Sequence, residues 1–99
     1  MDRESDKQLE AKFFGAELRT DLPSLDLHPP FYPEGIEIEV DRFLYDKSNL
    51  GEDVVAIIYG VGKGIMKKIV LEFLKNHPLV KGVKEKSGHC LVVLEKGGN

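Results

Sequence analysis

One cysteine in 99 residues, Cys90, has no partner for an intrachain disulfide and stands in no CxxC pair, which excludes a secreted disulfide scaffold and a structural zinc site. Long apolar runs are missing too. The longest, Val54 to Tyr59, has six residues, against the roughly 18 that a membrane span needs. The first residues, Met1 to Lys12, are charged and lack the apolar stretch of a signal peptide. These absences point to a cytoplasmic, single-domain protein with no membrane partner. What is present suits one core: hydrophobic residues are 41% of the chain and charged residues 31%, unlike the composition of a disordered segment.

Net positive charge is also lacking, since the formal total is −3. The distribution is uneven, however. Residues 1–59 sum to −8 and residues 60–99 to +5, with eight lysines in the second part. A local basic patch, not the total, is what phosphate binding requires. Lysines on a solvated helix face are the plainer explanation of the same asymmetry.

Met1 to Leu22 shows no sustained periodicity and reads as a partly ordered arm around Phe13-Phe14. Ser24 to His28 alternates between Pro23 and Pro29-Pro30, the pattern of a short strand. Phe31 to Asn49 carries two patterns at once. Gly35 to Asp41 alternates like a strand, whereas Ile36, Val40, Phe43 and Leu44 fall at helical spacing behind Pro33 and Glu34; the length favours a helix. Val54 to Tyr59 reads as a strand buried on both faces. After a glycine-rich loop, Ile65, Ile69, Val70, Phe73 and Leu74 form a helical stripe that Pro78 ends. Leu79 to Lys84 and Cys90 to Leu94 read as two more strands about a Ser87-Gly88 turn. The order β-α-β-α-β-β predicts an α/β two-layer sandwich with at least one right-handed parallel crossover. No internal repeat is present, and Gly97 to Asn99 reads as a frayed tail.

Gly60, Gly62 and Gly64 lie between a buried strand and a helix, where backbone amides and the helix dipole meet phosphates. Neither nucleotide fingerprint fits. Lys63 is followed by Gly64 and not Ser or Thr, and the third glycine of GxGxxG would have to be at Ile65. A tight structural turn is the alternative. Asp26 and His28, two residues apart on a strand, point to one side, where they could orient a general base, hold a metal or bind phosphate; a polar pair at a strand end is the simpler reading. His77 and His89 are expected at the surface. Cys90, Phe43, Phe73 and Met66 are expected to pack in the core.

Leu25-Asp26-Leu27-His28, Pro33-Glu34 opening a helix with Asp41-Arg42-Phe43-Leu44, Ile57 to Gly64, and Asn76 to Lys81 come in an order and spacing that resemble the small MutS-related (Smr) domain, across residues 23–96. The resemblance implies a compact α/β sandwich similar to the C-terminal domain of a bacterial translation initiation factor. It also implies nucleic-acid binding with nicking endonuclease activity on DNA or RNA. Asp26 and His28 match the family's LDLH motif, implicated in cleavage. Gly60, Gly62 and Gly64 match its HGxGxG loop, implicated in substrate binding, with Lys63, Lys67 and Lys68 beside it for the phosphate backbone. Tyr59 stands where that loop carries histidine, and Pro29 where a glycine usually follows LDLH. Tyrosine donates a hydrogen bond to phosphate but shuttles protons poorly near neutral pH.

That departure keeps a second reading open, a non-catalytic adaptor on nucleic acid, the ribosome or a repair assembly. A phosphate-ligand or protein-interaction module is a third. Neither a divalent metal such as magnesium or manganese, nor DNA over RNA, nor an oligomeric state is decided by these residues.

Overall fold

The computed structural model describes residues 6–28, 32–62 and 64–96. Pro29, Pro30, Phe31, Lys63 and the 97–99 tail, on which several of these expectations fall, lie outside the described residues. The elements are α1 (Asp6–Glu17), β1 (Ser24–Asp26), α2 (Pro33–Asn49), β2 (Val54–Ile58), α3 (Ile65–Lys75), β3 (Val80–Lys86) and β4 (His89–Leu94). The strands form one sheet in the order β1-β2-β4-β3, with β1 parallel to β2 and β4 antiparallel to both its neighbours.

Helix α2 settles the double pattern. Ile36, Val40, Leu44 and Ser48 face inward at intervals of four, while Ile38, which a strand would place beside Ile36 and Val40, is exposed. Pro33 occupies the first helical turn, where its missing N–H costs nothing. Helices α2 and α3 pack together on one face of the sheet. There Val40, Leu44, Val70 and Leu74 meet Val55, Ile57, Cys90, Val92 and Leu94, with Phe43, Met66 and Phe73 against the margin.

The arm is more ordered than its weak periodicity predicts. Residues 6–17 form a helix on the opposite face, making a third layer. Its stripe is short: Phe13 and Ala16 bury against Val54, Ala56, Leu91 and Val93, with Leu9 at the edge. Leu9 comes close to β3 at Gly82, where an added Cβ would lie 3.1 Å from its Cδ2. Lys12 and Asp53 (4.0 Å), Lys84 and Glu10 (3.9 Å), and Lys86 and Glu17 (2.8 Å) flank this contact. With both faces covered, β2 and β4 are almost wholly buried, as the continuous apolar run of β2 implies. The edges are left to the three-residue β1, entered from Pro23, and the lysine-rich β3.

His77 is a correction. Expected at the surface, it is 7% exposed. Its Nε2 lies 2.7 Å from Asp41 Oδ1, and its Nδ1 accepts the Leu79 amide at 3.1 Å. The Tyr45 and Phe73 rings flank it at 5.5 and 5.4 Å. The imidazole fastens the end of α3 to α2, which is why the junction needs it inside.

Candidate nucleic-acid interface

Parallel pairing brings the carboxyl ends of β1 and β2 together. Asp26 is in register with Ile58, and the Leu27 amide donates to the Ile58 carbonyl at 2.9 Å. Leu25 and Leu27 turn toward the α2/α3 core, so Asp26 turns away from it. Asp26 Oδ2 and His28 Nε2 are 3.5 Å apart, and both side chains are more than half exposed. The two groups form an open acid–base pair at the rim of a cleft of about 430 Å³.

The other wall of that cleft is the glycine loop and the start of α3. Gly60, Gly62 and Gly64 have φ of 80°, 147° and 81°, conformations that side-chain-bearing residues rarely adopt. An added Cβ at any of them would meet nothing within 4 Å among the described residues, so backbone conformation, not crowding by the protein, calls for glycine here. The loop is tied down from one side, since the Tyr59 and Gly60 amides both donate to the Gly88 carbonyl (3.1 and 2.8 Å). Gly64 caps α3 without a side-chain hydrogen bond, and the first helical bond runs from the Lys68 amide to the Gly64 carbonyl. The amides of Ile65, Met66 and Lys67 therefore present the positive end of the helix dipole to the cleft.

Lys67 lines the cleft, and with Lys68 and Lys75 it also borders a groove of about 420 Å³ along α3. Glu85 lies 3.3 Å from the Lys67 ammonium and partly offsets it. Of the residues picked out in the sequence, Asp26, His28, Tyr59, Gly60, Gly64 and Lys67 are thus brought to one cleft, with Lys68 on the adjoining groove. Lys63 lies outside the described residues.

Tyr59 lines the same cleft but does not offer its hydroxyl to it. Its side chain enters the core, and its hydroxyl is buried with no hydrogen-bond partner among the described residues. Donation to a phosphate is closed to it in this conformation. Burial, reinforced by the neighbouring Cys90 thiol and Glu85, pushes the phenol up to about 12, and burial pushes the Cys90 thiol to about 12 as well. Among the described residues no group of three or more His, Cys, Asp or Glu is arranged to hold a metal ion. Asp26 and His28 alone do not make a closed metal site.

A three-layer α/β domain with an acid–base pair, a loop of positive-φ glycines and a helix N-terminus at one strand end is the class that fold and cleft define. Residues 25–93 match the Smr domain model, and the chain belongs to the Smr domain family. Its fold is similar to that in the crystal structure of the Smr domain of Thermus thermophilus MutS2, with a TM-score of 0.69 and 21% identity over 75% of this chain and 99% of that one. Among curated relatives, the endonuclease MutS2 of Listeria innocua is 40% identical over 60 residues, 61% of this chain and 8% of the relative. That of Halalkalibacterium halodurans is 38% identical over 63 residues, 64% of this chain and 8% of the relative. The chain thus spans under a tenth of the length of these relatives. Helix α1 lies outside the family-matched residues.

Proposed function

We propose that this chain binds the phosphodiester backbone of DNA or RNA in the cleft at the ends of β1 and β2, and that Asp26 and His28 cleave it there as a nicking endonuclease. The observation that carries this reading is the sharing of one cleft by the Asp26–His28 pair, the glycine loop and Lys67. The similarity to chains named endonuclease MutS2 supports it. Loop amides and the first turn of α3 hold a phosphate, while Lys67 and Lys68 offset its charge and that of its neighbours. His28 takes a proton from the attacking water, whose oxygen bonds to phosphorus as the P–O bond to one sugar breaks. The imidazolium or solvent returns a proton to the leaving sugar oxygen, and Asp26 orients the imidazole and stabilises its charged form. The charge that develops on the phosphoryl oxygens falls on the same amides and on Lys67.

Tyr59 favours a second reading. With the loop histidine of the family absent and the phenol buried, the cleft retains its binding groups and loses one proton carrier, which suits a binding-only adaptor on the ribosome or in a repair assembly.

Backbone contacts make affinity salt-dependent and largely independent of sequence. Lys67→Glu with Lys68→Glu is expected to weaken binding of unrelated duplexes and hairpins at least about tenfold and to flatten the salt slope by about two. Electrophoretic shifts over a salt series check this. Unchanged affinity with an unchanged slope would overturn the assignment of the α3 lysines.

A further inference from the structure

The sheet register lines up four side chains in one row. Asp26 is opposite Ile58, Ile58 opposite His89, and His89 opposite Lys86. Their sequence neighbours Leu27, Ile57 and Cys90 enter the core under α2 and α3, so the row points to the other face, the one on which α1 sits. Asp26 and His89 therefore share a face two strands apart, about 10 Å between Cα atoms. Ile58, between them, is also a wall of the Asp26–His28 cleft.

His89 is held in a fixed pose. Its Nδ1 lies 3.2 Å from the Ser87 carbonyl. A carbonyl only accepts, so Nδ1 donates to it, and Nε2, with no hydrogen bond to any described residue, donates to a phosphate oxygen in the imidazolium form. The turn before it is fastened to the glycine loop through the Gly88 carbonyl, and a Cβ at Gly88 would lie 3.8 Å from Gly60 Cα. Beside it, the Lys86 ammonium holds the Glu17 carboxylate at 2.8 Å. Glu17 closes the C-terminal end of α1, outside the family-matched residues. Its carboxyl is held below the usual range, first by the Lys86 hydrogen bond and further by the charges of Lys86, Lys84 and His89. An internal anion thus sits in a small cationic field, a short way along the sheet edge from the cleft.

We propose that His89 and Lys86 form a second phosphodiester subsite, continuing the Asp26–His28 cleft across the sheet edge, and that Glu17 fills it in the free protein in place of a phosphate. The ligand class is the backbone of one nucleic-acid strand, with one phosphate at the glycine loop and a later one at Lys86 and His89. The proposal rests on the nucleic-acid reading above. It adds a direction in which the strand runs and a competitor for its charge.

The test is fluorescence anisotropy of the full chain with labelled single-stranded RNA and DNA of one sequence, over a salt series. Lys86→Gln with His89→Gln is expected to weaken both strands about tenfold, the loss of a charge-assisted contact, and to flatten the salt slope by about one. Glu17→Gln is expected to tighten binding about threefold. Lys86→Arg, which keeps the charge, is expected to bind as the parent does and guards against a mere folding defect. If Lys86→Gln with His89→Gln leaves affinity and slope unchanged while Lys67→Glu with Lys68→Glu weakens both, the subsite is overturned and the cleft reading stands. If Glu17→Gln binds no tighter, its role as a stand-in is overturned. A loss confined to RNA overturns the phosphate assignment in favour of the 2′-hydroxyl. If the parent chain binds neither strand, the cleft reading fails and the subsite with it.

Discussion

Tyr59 carries a hydroxyl into an apolar core, where the neighbouring Cys90 thiol is at most a weak partner and no well-formed hydrogen bond is made among the described residues. A buried hydroxyl without a hydrogen bond costs stability that removing the oxygen recovers. Tyr59→Phe is therefore expected to leave the fold intact and raise its stability by about 1 kcal/mol, read by urea unfolding. A loss of that size would show that the hydroxyl is bonded after all. His77 is the opposite case, a polar ring with both nitrogens in use. Because Nδ1 accepts the Leu79 amide, Nε2 carries the proton and donates to Asp41. His77→Ala is expected to cost about 2–4 kcal/mol, from the cavity and the orphaned amide. Asp41→Asn, which keeps an accepting oxygen, should cost about 1 kcal/mol or less. Equal losses in thermal unfolding would show that the Asp41 carboxylate charge, and not merely an accepting oxygen, holds the ring. Neither role is legible from sequence, since a tyrosine after a strand and a histidine before a proline look the same whether they face inward or outward.

At the scale of elements, α2 was legible because seventeen residues repeat one stripe and only Ile38 competes with it. α1 was not. Its inward positions Leu9, Phe13 and Ala16 are correctly spaced, but exposed Phe14 and Leu18 and the central Gly15 blur them. What holds α1 to the sheet is long-range, a small apolar contact with ion pairs around it, and no local pattern records such a partner. Glu17 gives this docking a pH dependence with a definite sign. Its carboxyl pKa is lowered in the folded protein, so its contribution is present above about pH 4.5 and is lost as pH falls through the lower folded value. Amide exchange in α1 should therefore speed up, relative to β2 and β4, on acidifying below that point. In Glu17→Gln the protection should be lower at neutral pH and change less. Equal profiles in the two proteins would remove Glu17 from the docking of α1.

For the whole molecule, topology does the assembling. Parallel pairing of β1 with β2 places the Asp26–His28 pair beside the loop that leaves β2, and the β3–β4 turn clamps that loop from the other side through Gly88. Two of the Smr motifs in the sequence, Leu25 to His28 and Ile57 to Gly64, led to the same residues because both mark chain segments that end at this cleft, whereas Asp41 and Asn76 to Pro78 meet at the far end of α3. What they left out is His89 and Lys86, which reach the edge only through the register of β4 between β2 and β3. The charge asymmetry also resolves in three dimensions. Lys67, Lys68 and Lys75 border one groove, while part of the excess acid lies on α1 against β3 lysines. The most direct test of the cleft is to incubate the chain with supercoiled plasmid and structured RNA, with and without magnesium or manganese, beside Asp26→Ala with His28→Ala. The expected result is cleavage of at least one polymer by the parent chain and none above background by the double variant, with binding retained. Binding without cleavage in the parent, or equal cleavage by the variant, would contradict the assignment of Asp26 and His28 as the groups that break the backbone.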